Sequence, residues 1–300
     1  VSENYNVFFS KQYRSNLVML LQLQGGKFRS TVTVDTSYVG DGAAPVNQMG
    51  AVEMQEVTGR FQPMGRVDAP TARRWVHPRS FDLPQMVDNL DILRSVVGNP
   101  NSSYVQNGVK AAGRQSDRLI IQAFFASAKT GVAGAGSTAF TAGNEIDVAV
   151  GGSNSRLNVE KIKALRELME SQYVDFDEEE VYIGITAKDH SALLSDIQII
   201  SRDFKNGESP VLEKGKVREF LGFNFLQSEL IETLCAGTNE VTLPAWCKSG
   251  MHLGVWQDMQ TDVSQRKDLQ SLPWQIYQTI TQGATRLEEN KVYAVESYRA

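Results

Sequence analysis

The chain has 300 residues, 41% hydrophobic and 22% charged, which excludes a fibre or a disordered tail. Thirty basic side chains against 35 acidic ones leave a formal charge of −5, which excludes a generally basic nucleic-acid coat. Two cysteines, Cys235 and Cys247, and three histidines, His77, His190 and His252, fall short of a disulfide framework or a structural zinc site. No run approaches the ~18 apolar residues of a membrane-crossing helix. The opening VSENYNVFFSKQY also lacks the basic-then-apolar order of a secretory signal, so the chain reads as soluble, with no membrane partner.

Residues 1–27 are aromatic at the start (Tyr5, Phe8, Phe9, Tyr13). Leu17, Met19, Leu20 and Leu21 fit a short helix that Gly25 and Gly26 stop. So short a segment cannot hold a core and reads as an arm that packs on something else. From Phe28 to Pro84, RSTVTVDTSYV alternates, with Val32, Val34, Thr36 and Tyr38 on one side, and predicts a strand. Turn chemistry follows at 40–45, then β-leaning sequence broken by Gly59, Pro63 and Gly65. Prolines 63, 70 and 78 speak against a central sheet strand and suit an edge or a free ribbon. A two-stranded ribbon is marginal alone, so this one needs a partner surface in its own chain or in another.

Pro100 and the polar cluster Asn101–Ser103 start a helix over about 102–130, and Gly131 stops it. Val105, Val109, Ala112, Leu119, Ile120, Ala123 and Phe124 recur at helical spacing. Gly108 and Gly113 each cost such a helix about 1 kcal/mol against alanine, which makes sense if another backbone crosses closely. Residues 131–156 read as loops around a strand or two. The helix VEKIKALRELMESQ follows, with Ile162, Leu165, Leu168 and Met169 on one face, then the acidic run DFDEEE and a buried-type strand, VYIGIT. A helix (AKDHSALLSDIQI), a loop (SRDFKNGES) and a strand (EFLGFNFLQSE) complete what looks like a compact α/β domain. Three strand-like runs close the chain.

Motifs for chemistry are missing. The loop Gly131–Thr138 lacks the lysine of a phosphate-binding loop and follows a helix, so it reads as a connector. No serine lies in a G-x-S-x-G elbow, and no two histidines lie four apart. The acidic run lacks the central glycine of a calcium loop and reads as a solvated loop. No catalytic, cofactor or metal residue is assigned, and no enzyme is expected. The knot Arg73-Arg74-Trp75-Val76-His77-Pro78-Arg79 could contact nucleic acid or clamp carboxylates of another subunit. Its shortness and the acidic balance favour the clamp. Residues 1–80 hold nine basic and six acidic side chains, residues 151–250 eleven and seventeen. These are surfaces that attract between copies, or two solvated faces.

The order of parts (arm, β-ribbon, long helix, α/β module, closing strands) resembles the major capsid proteins of tailed bacteriophages. Their fold is the Hong Kong 97 phage type, shared with encapsulin shells. LGFNFLQSELI, HLGVWQDMQTDVSQRKD and ITQGATRLEENKVYAVES are similar to strands of that family. VDTSYVGDGAAPV, RRWVHPRSFDLP and AAGRQSDRLIIQAFF are similar to one of its subgroups. The resemblance implies an α+β fold with an arm (1–27), an extended loop (28–84), a peripheral domain (85–154 and 254–300, with the spine helix) and an axial domain (155–253). It implies hexamers and pentamers of self in an icosahedral head around double-stranded DNA, built in the host bacterial cytoplasm. Portal, scaffolding and decoration proteins are the implied partners, the scaffold being a separate protein if no longer segment was cut off before Val1.

Arg60, Arg66, Arg73, Arg74, Trp75, Phe8 and Phe9 are the expected intersubunit contacts, the arginines meeting carboxylates of a neighbour. No lysine occurs from Phe28 to Val109, so the ribbon-lysine isopeptide bonds of some resembling capsids are excluded. Three rival readings are an encapsulin-like shell around cargo, a soluble enzyme using the glycine loop, and a tail or adaptor protein.

Overall fold

The computed structural model describes residues 25–40, 42–56, 59–60, 65–87, 100–196, 212–213, 216–270 and 272–299. The expected arm helix, Phe8, Phe9 and the loop SRDFKNGES lie outside them. The strands begin with β1 (Thr33–Asp35), β2 (Ala44–Met49), β3 (Thr71–Val76), β4 (Arg79–Val87), β5 (Ala128–Thr130), β6 (Gly136–Thr138), β7 (Glu145–Ile146) and β8 (Val181–Ile185). They continue with β9 (Leu212–Glu213), β10 (Lys216–Val217), β11 (Glu219–Phe220), β12 (Phe223–Gln227), β13 (Glu240–Cys247), β14 (Met251–Gln265), β15 (Trp274–Arg286) and β16 (Val292–Tyr298). The helices are α1 (Pro100–Phe125), α2 (Val159–Ser171), α3 (Ala187–Leu194) and α4 (Leu230–Leu234). The chain divides into two compact units. The smaller takes its described residues from 25–26, 80–87, 100–115 and 257–281, the larger from 27–79, 116–256 and 282–299.

In the larger unit a six-stranded mixed sheet has the order β11-β12-β8-β13-β16-β7. Val181, Ile183 and Ile185 of β8 are all buried and, at a spacing of two, line one face of the strand, while Gly184 on the other face is buried as well. At Gly184 an added Cβ would fall 2.7 Å from Ile231 Cδ1, so the glycine lets α4 pack close. Helix α2 starts at Asn158, whose side chain accepts the Lys161 amide at 2.9 Å. It buries Val159, Ile162, Leu165 and Met169. Leu168, expected on that face, is half-buried, and Lys161 is buried in its place. The lysine Nζ donates to Ser155 O (2.6 Å) and Glu296 O (2.7 Å), and burial pushes its pKa down.

The core centres on Trp246 of β13, which is fully buried. It stacks on Tyr182 and Phe28, meets Phe124 at 4.6 Å between ring centroids, and donates its indole N–H to Thr31 O at 2.9 Å. Asp117 of α1 accepts the Phe28 amide at 3.1 Å, fixing where the ribbon segment leaves this core. The expected single strand in EFLGFNFLQSE is instead the hairpin β11–β12. Leu221 (φ 52°) and Gly222 (φ 80°) adopt the left-handed conformations of a tight hairpin turn. The alternating run at 31–38 forms only the three residues of β1, parallel to β14. Asp35 ends it by accepting the Ser37 N–H and hydroxyl with one oxygen (2.9 and 2.7 Å).

In the smaller unit Gly113 of α1 meets a crossing backbone, as the sequence anticipates. A Cβ there would lie 2.9 Å from Gly25 C and 3.0 Å from Gly26 N. At Gly108 the neighbour is a side chain, that of Gln278, not a backbone. Val109, expected on the apolar face, is 52% exposed.

Candidate functional site

The ribbon base is a four-stranded sheet of order β2-β3-β5-β6, so the ribbon finds one partner surface in its own chain. Strand β2, which contains Pro45, is an edge strand, where a missing N–H costs no ladder bond. Strand β3 is central and fits between Pro70 and Pro78. Its period of two sends Arg74 to one face and Arg73 with Trp75 to the other.

Arg74 is 9% exposed and directs its guanidinium to groups of its own chain. Its Nε donates to Leu287 O (2.9 Å) and its Nη2 to Glu289 Oε1 (3.0 Å). Burial pushes its pKa down, and the Glu289 carboxylate opposes that shift. The other oxygen of Glu289 takes Arg286 Nε at 2.6 Å. Arg286 is fully buried and donates to Phe124 O (2.5 Å), Ala126 O (3.1 Å) and Thr138 O (3.4 Å). It thereby satisfies carbonyls at the C-terminal end of α1, which no intrahelical donor reaches. One carboxylate and two guanidiniums thus tie together the ribbon base, the end of the spine helix, the β5–β6 hairpin and the final strands.

On the opposite face Trp75 donates its indole N–H to Gly131 O at 2.7 Å, and a Cβ at Gly134 would lie 3.2 Å from its ring. The Arg73 guanidinium sits 5.9 Å from the Trp75 ring, and Arg73 donates to Asn47 Oδ1 at 2.8 Å. The glycine loop is therefore the turn of a hairpin under Trp75, with Gly131 (φ 90°) and Gly134 (φ 73°) supplying left-handed backbone. Arg60 and Arg66 are exposed, and Arg66 pairs with Asp68 at 2.8 Å, two residues along its own chain. Along the ribbon Met54 is fully exposed, Met49 77% and Val52 56% exposed.

The last two residues of the acidic run, Glu179 and Glu180, are tied to lysines of their own unit. Glu179 pairs with Lys291 and accepts from Ser249, and Glu180 pairs with Lys248 at 2.8 Å. The Lys248 and Tyr182 hydrogen bonds hold the Glu180 carboxyl below its usual range. Among the described residues no three His, Cys, Asp or Glu side chains gather as metal ligands would, and no helix is long and apolar enough to cross a membrane. Burial pushes the Cys235 thiol up to about 11 and Cys247 up to about 12, the opposite of an activated nucleophile. The site is one of shape and charge, suited to holding segments together.

The sequence pattern of phage capsid proteins matches residues 5–298, nearly the whole chain. The chain belongs to the phage capsid protein family. Among solved structures, the capsid of Cyanophage P-SCSP1u shares 15% identity, covering 98% of this chain and 94% of that one, with a TM-score of 0.71. The Cyanophage Pam1 capsid shares 11% (98% and 97% covered, TM-score 0.72) and the capsid of Helicobacter pylori bacteriophage KHP30 8% (100% and 98%, TM-score 0.70). No curated protein matches significantly in sequence. The fold is the Hong Kong 97 phage-type α+β capsid fold, and this capsid protein forms the shell of a phage head. Capsid proteins of this family and fold are structural, not enzymes. The residues whose importance the sequence left unmarked are Trp246 and Glu289. Arg286 lies in the ITQGATRLEEN patch similar to the family, but nothing local marks it as buried.

Proposed function

We propose that the chain is the repeating subunit of an icosahedral head, arranged as hexamers and pentamers around the double-stranded DNA of a tailed phage. In this reading it assembles in the host bacterial cytoplasm with a scaffolding protein, joins a portal and accepts decoration proteins. Residues 1–27 serve as the arm, 28–84 as the extended loop, 85–154 and 254–300 as the peripheral domain, and 155–253 as the axial domain. The observation that carries it is the ribbon: Met49, Val52 and Met54 are apolar and exposed, and burial against a neighbour is worth ~25 cal/mol per Å². Arg60, Arg66, Arg73, Trp75, Phe8 and Phe9 are the proposed intersubunit contacts, and Arg74 holds the ribbon base from within. Electron microscopy of the protein, expressed alone and with its neighbouring genes, tests this. Closed icosahedral particles with rings of six and five are expected; small oligomers in both preparations would overturn it.

A further inference from the structure

The larger unit carries a cleft of ≈ 420 Å³ beside the ribbon base. Apolar Leu119, Ala123 and Trp75 line it together with polar groups such as Gln122, and His77, Arg79 and Lys129 form its exposed rim. No carboxylate lines it. The three rim side chains are exposed, and among the described residues none of them makes a hydrogen bond or ion pair. Elsewhere in this unit Arg74, Arg166, Lys188, Lys248 and Lys291 have carboxylate partners. Two unpaired cations, Arg79 and Lys129, at the edge of one concave surface favour an anionic occupant, which relieves their mutual repulsion.

The same unit presents the complement elsewhere. Between α2 and β8 the side chains of Asp177 and Glu178 are exposed, and among the described residues neither carboxylate has a partner. The turn that carries them is held from behind. Asp175 accepts the Asp177 amide at 2.8 Å through its side chain and the Glu179 amide at 3.1 Å through its carbonyl. Phe176 packs on Phe223 at 5.2 Å and lies under the Arg166 guanidinium at 5.0 Å. Two carboxylates fixed in place lose little conformational entropy on docking.

We infer that Asp177 and Glu178 of one copy dock in the cationic cleft of the next, pairing with Arg79 and Lys129. The inference rests on the shell reading above and names two of the surfaces that would build it. Cleft and turn are different patches, so the contact is heterologous. Each copy gives one contact and receives one, and a suitable rotation closes the series into a ring. A nucleic-acid strand is the weaker occupant, since one cleft with three rim groups gives no row of cations along a backbone, and the chain is acidic overall.

The test uses particles assembled from a mixture of ordinary and nitrogen-15-labelled chains, treated with a carbodiimide that joins amines to touching carboxylates. Linked peptides from Lys129 to Asp177 or Glu178, carrying one label of each kind, are expected. Particles without such peptides would overturn the inference and leave the shell reading standing; no particles from the unaltered chain would overturn the shell reading itself. In a second arm, Arg79→Glu with Lys129→Glu lowers particle yield by at least about tenfold, because like charges then face each other. Adding Asp177→Lys with Glu178→Lys restores it, and failure to restore it counts against the pairing. DNA binding by the unassembled subunit that is lost in the Arg79/Lys129 variant would assign the cleft to phosphates instead.

Discussion

Glu289 accepts hydrogen bonds from two arginines whose side chains are 11% and 0% exposed, so its charge is the counterweight for both. Glu289→Gln keeps the shape and removes that charge, which leaves two buried cations facing a neutral amide. A loss of about 3–5 kcal/mol is expected, read as a lower urea midpoint of the unassembled subunit. A variant as stable as the parent would show that the pair is effectively solvated. His252 makes a second prediction. Its ring is 5% exposed, its Nε2 lies 2.8 Å from the Tyr38 hydroxyl, and Asp35 is the charged group acting on it. Burial pushes its pKa below the ordinary 6.5, and Asp35 opposes the shift. Between 6.5 and the lower folded value the unfolded chain binds a proton that the folded chain refuses, so stability falls on acidification through that window. Above it this group contributes no slope. His252→Gln removes the slope while keeping a partner for Tyr38. Urea midpoints at about pH 7.5 and about pH 5.5 should diverge less in the variant, and equal divergence would refute the assignment.

Two glycines of one helix are predicted to respond with opposite signs. Alanine ordinarily gains about 1 kcal/mol over glycine inside a helix. At Gly113 the added carbon meets backbone of Gly25 and Gly26, which cannot move aside cheaply, so Gly113→Ala should lose about 1–3 kcal/mol. At Gly108 it meets only the end of the Gln278 side chain, whose Oε1 is buried without a hydrogen bond, so Gly108→Ala should be neutral or slightly stabilising. Thermal melting of both variants decides the matter. The same pair marks how far the sequence could be read. Local signals carried well: Pro100 and its polar neighbours place the start of α1, and the apolar spacing from Leu119 to Phe124 finds a buried face. The end came earlier than Gly131 because Ala128–Thr130 is recruited into the ribbon-base sheet, a tertiary pairing that no helix signal reports. The hairpin turn at Leu221–Gly222 was hidden because leucine rarely adopts a left-handed conformation. At the candidate site the knot around Arg73 and Trp75 was legible as a cluster, yet sequence alone cannot say which arginine is buried. That depends on the face of β3 that meets Glu289, a residue more than two hundred positions away.

At the scale of the whole molecule, a shell of this chain must hold without ribbon-lysine cross-links, since Phe28 to Val109 contains no lysine. Assembled particles boiled in detergent should therefore run as a single monomer band, and a covalent ladder dependent on ribbon residues would contradict this. Non-covalent cohesion makes surface charge decisive for assembly and buried charge decisive for folding, and neighbouring arginines of β3 separate the two. Arg73 is half-buried and its hydrogen bonds run to Asn47 and to Val132 O near the surface, so Arg73→Glu should cost the subunit about 1 kcal/mol or less. In the proposed intersubunit contact the reversed charge would face a carboxylate of the neighbour. Arg74→Glu places a second carboxylate against Glu289 in a site that is 9% exposed, and the subunit should lose its fold. The expected pattern is a soluble, folded, non-assembling Arg73 variant beside an insoluble Arg74 variant, read by circular dichroism and sedimentation. Normal particle yield from Arg73→Glu would remove Arg73 from the intersubunit surface, and a well-folded Arg74→Glu subunit would show that the charge node is not what secures the ribbon base.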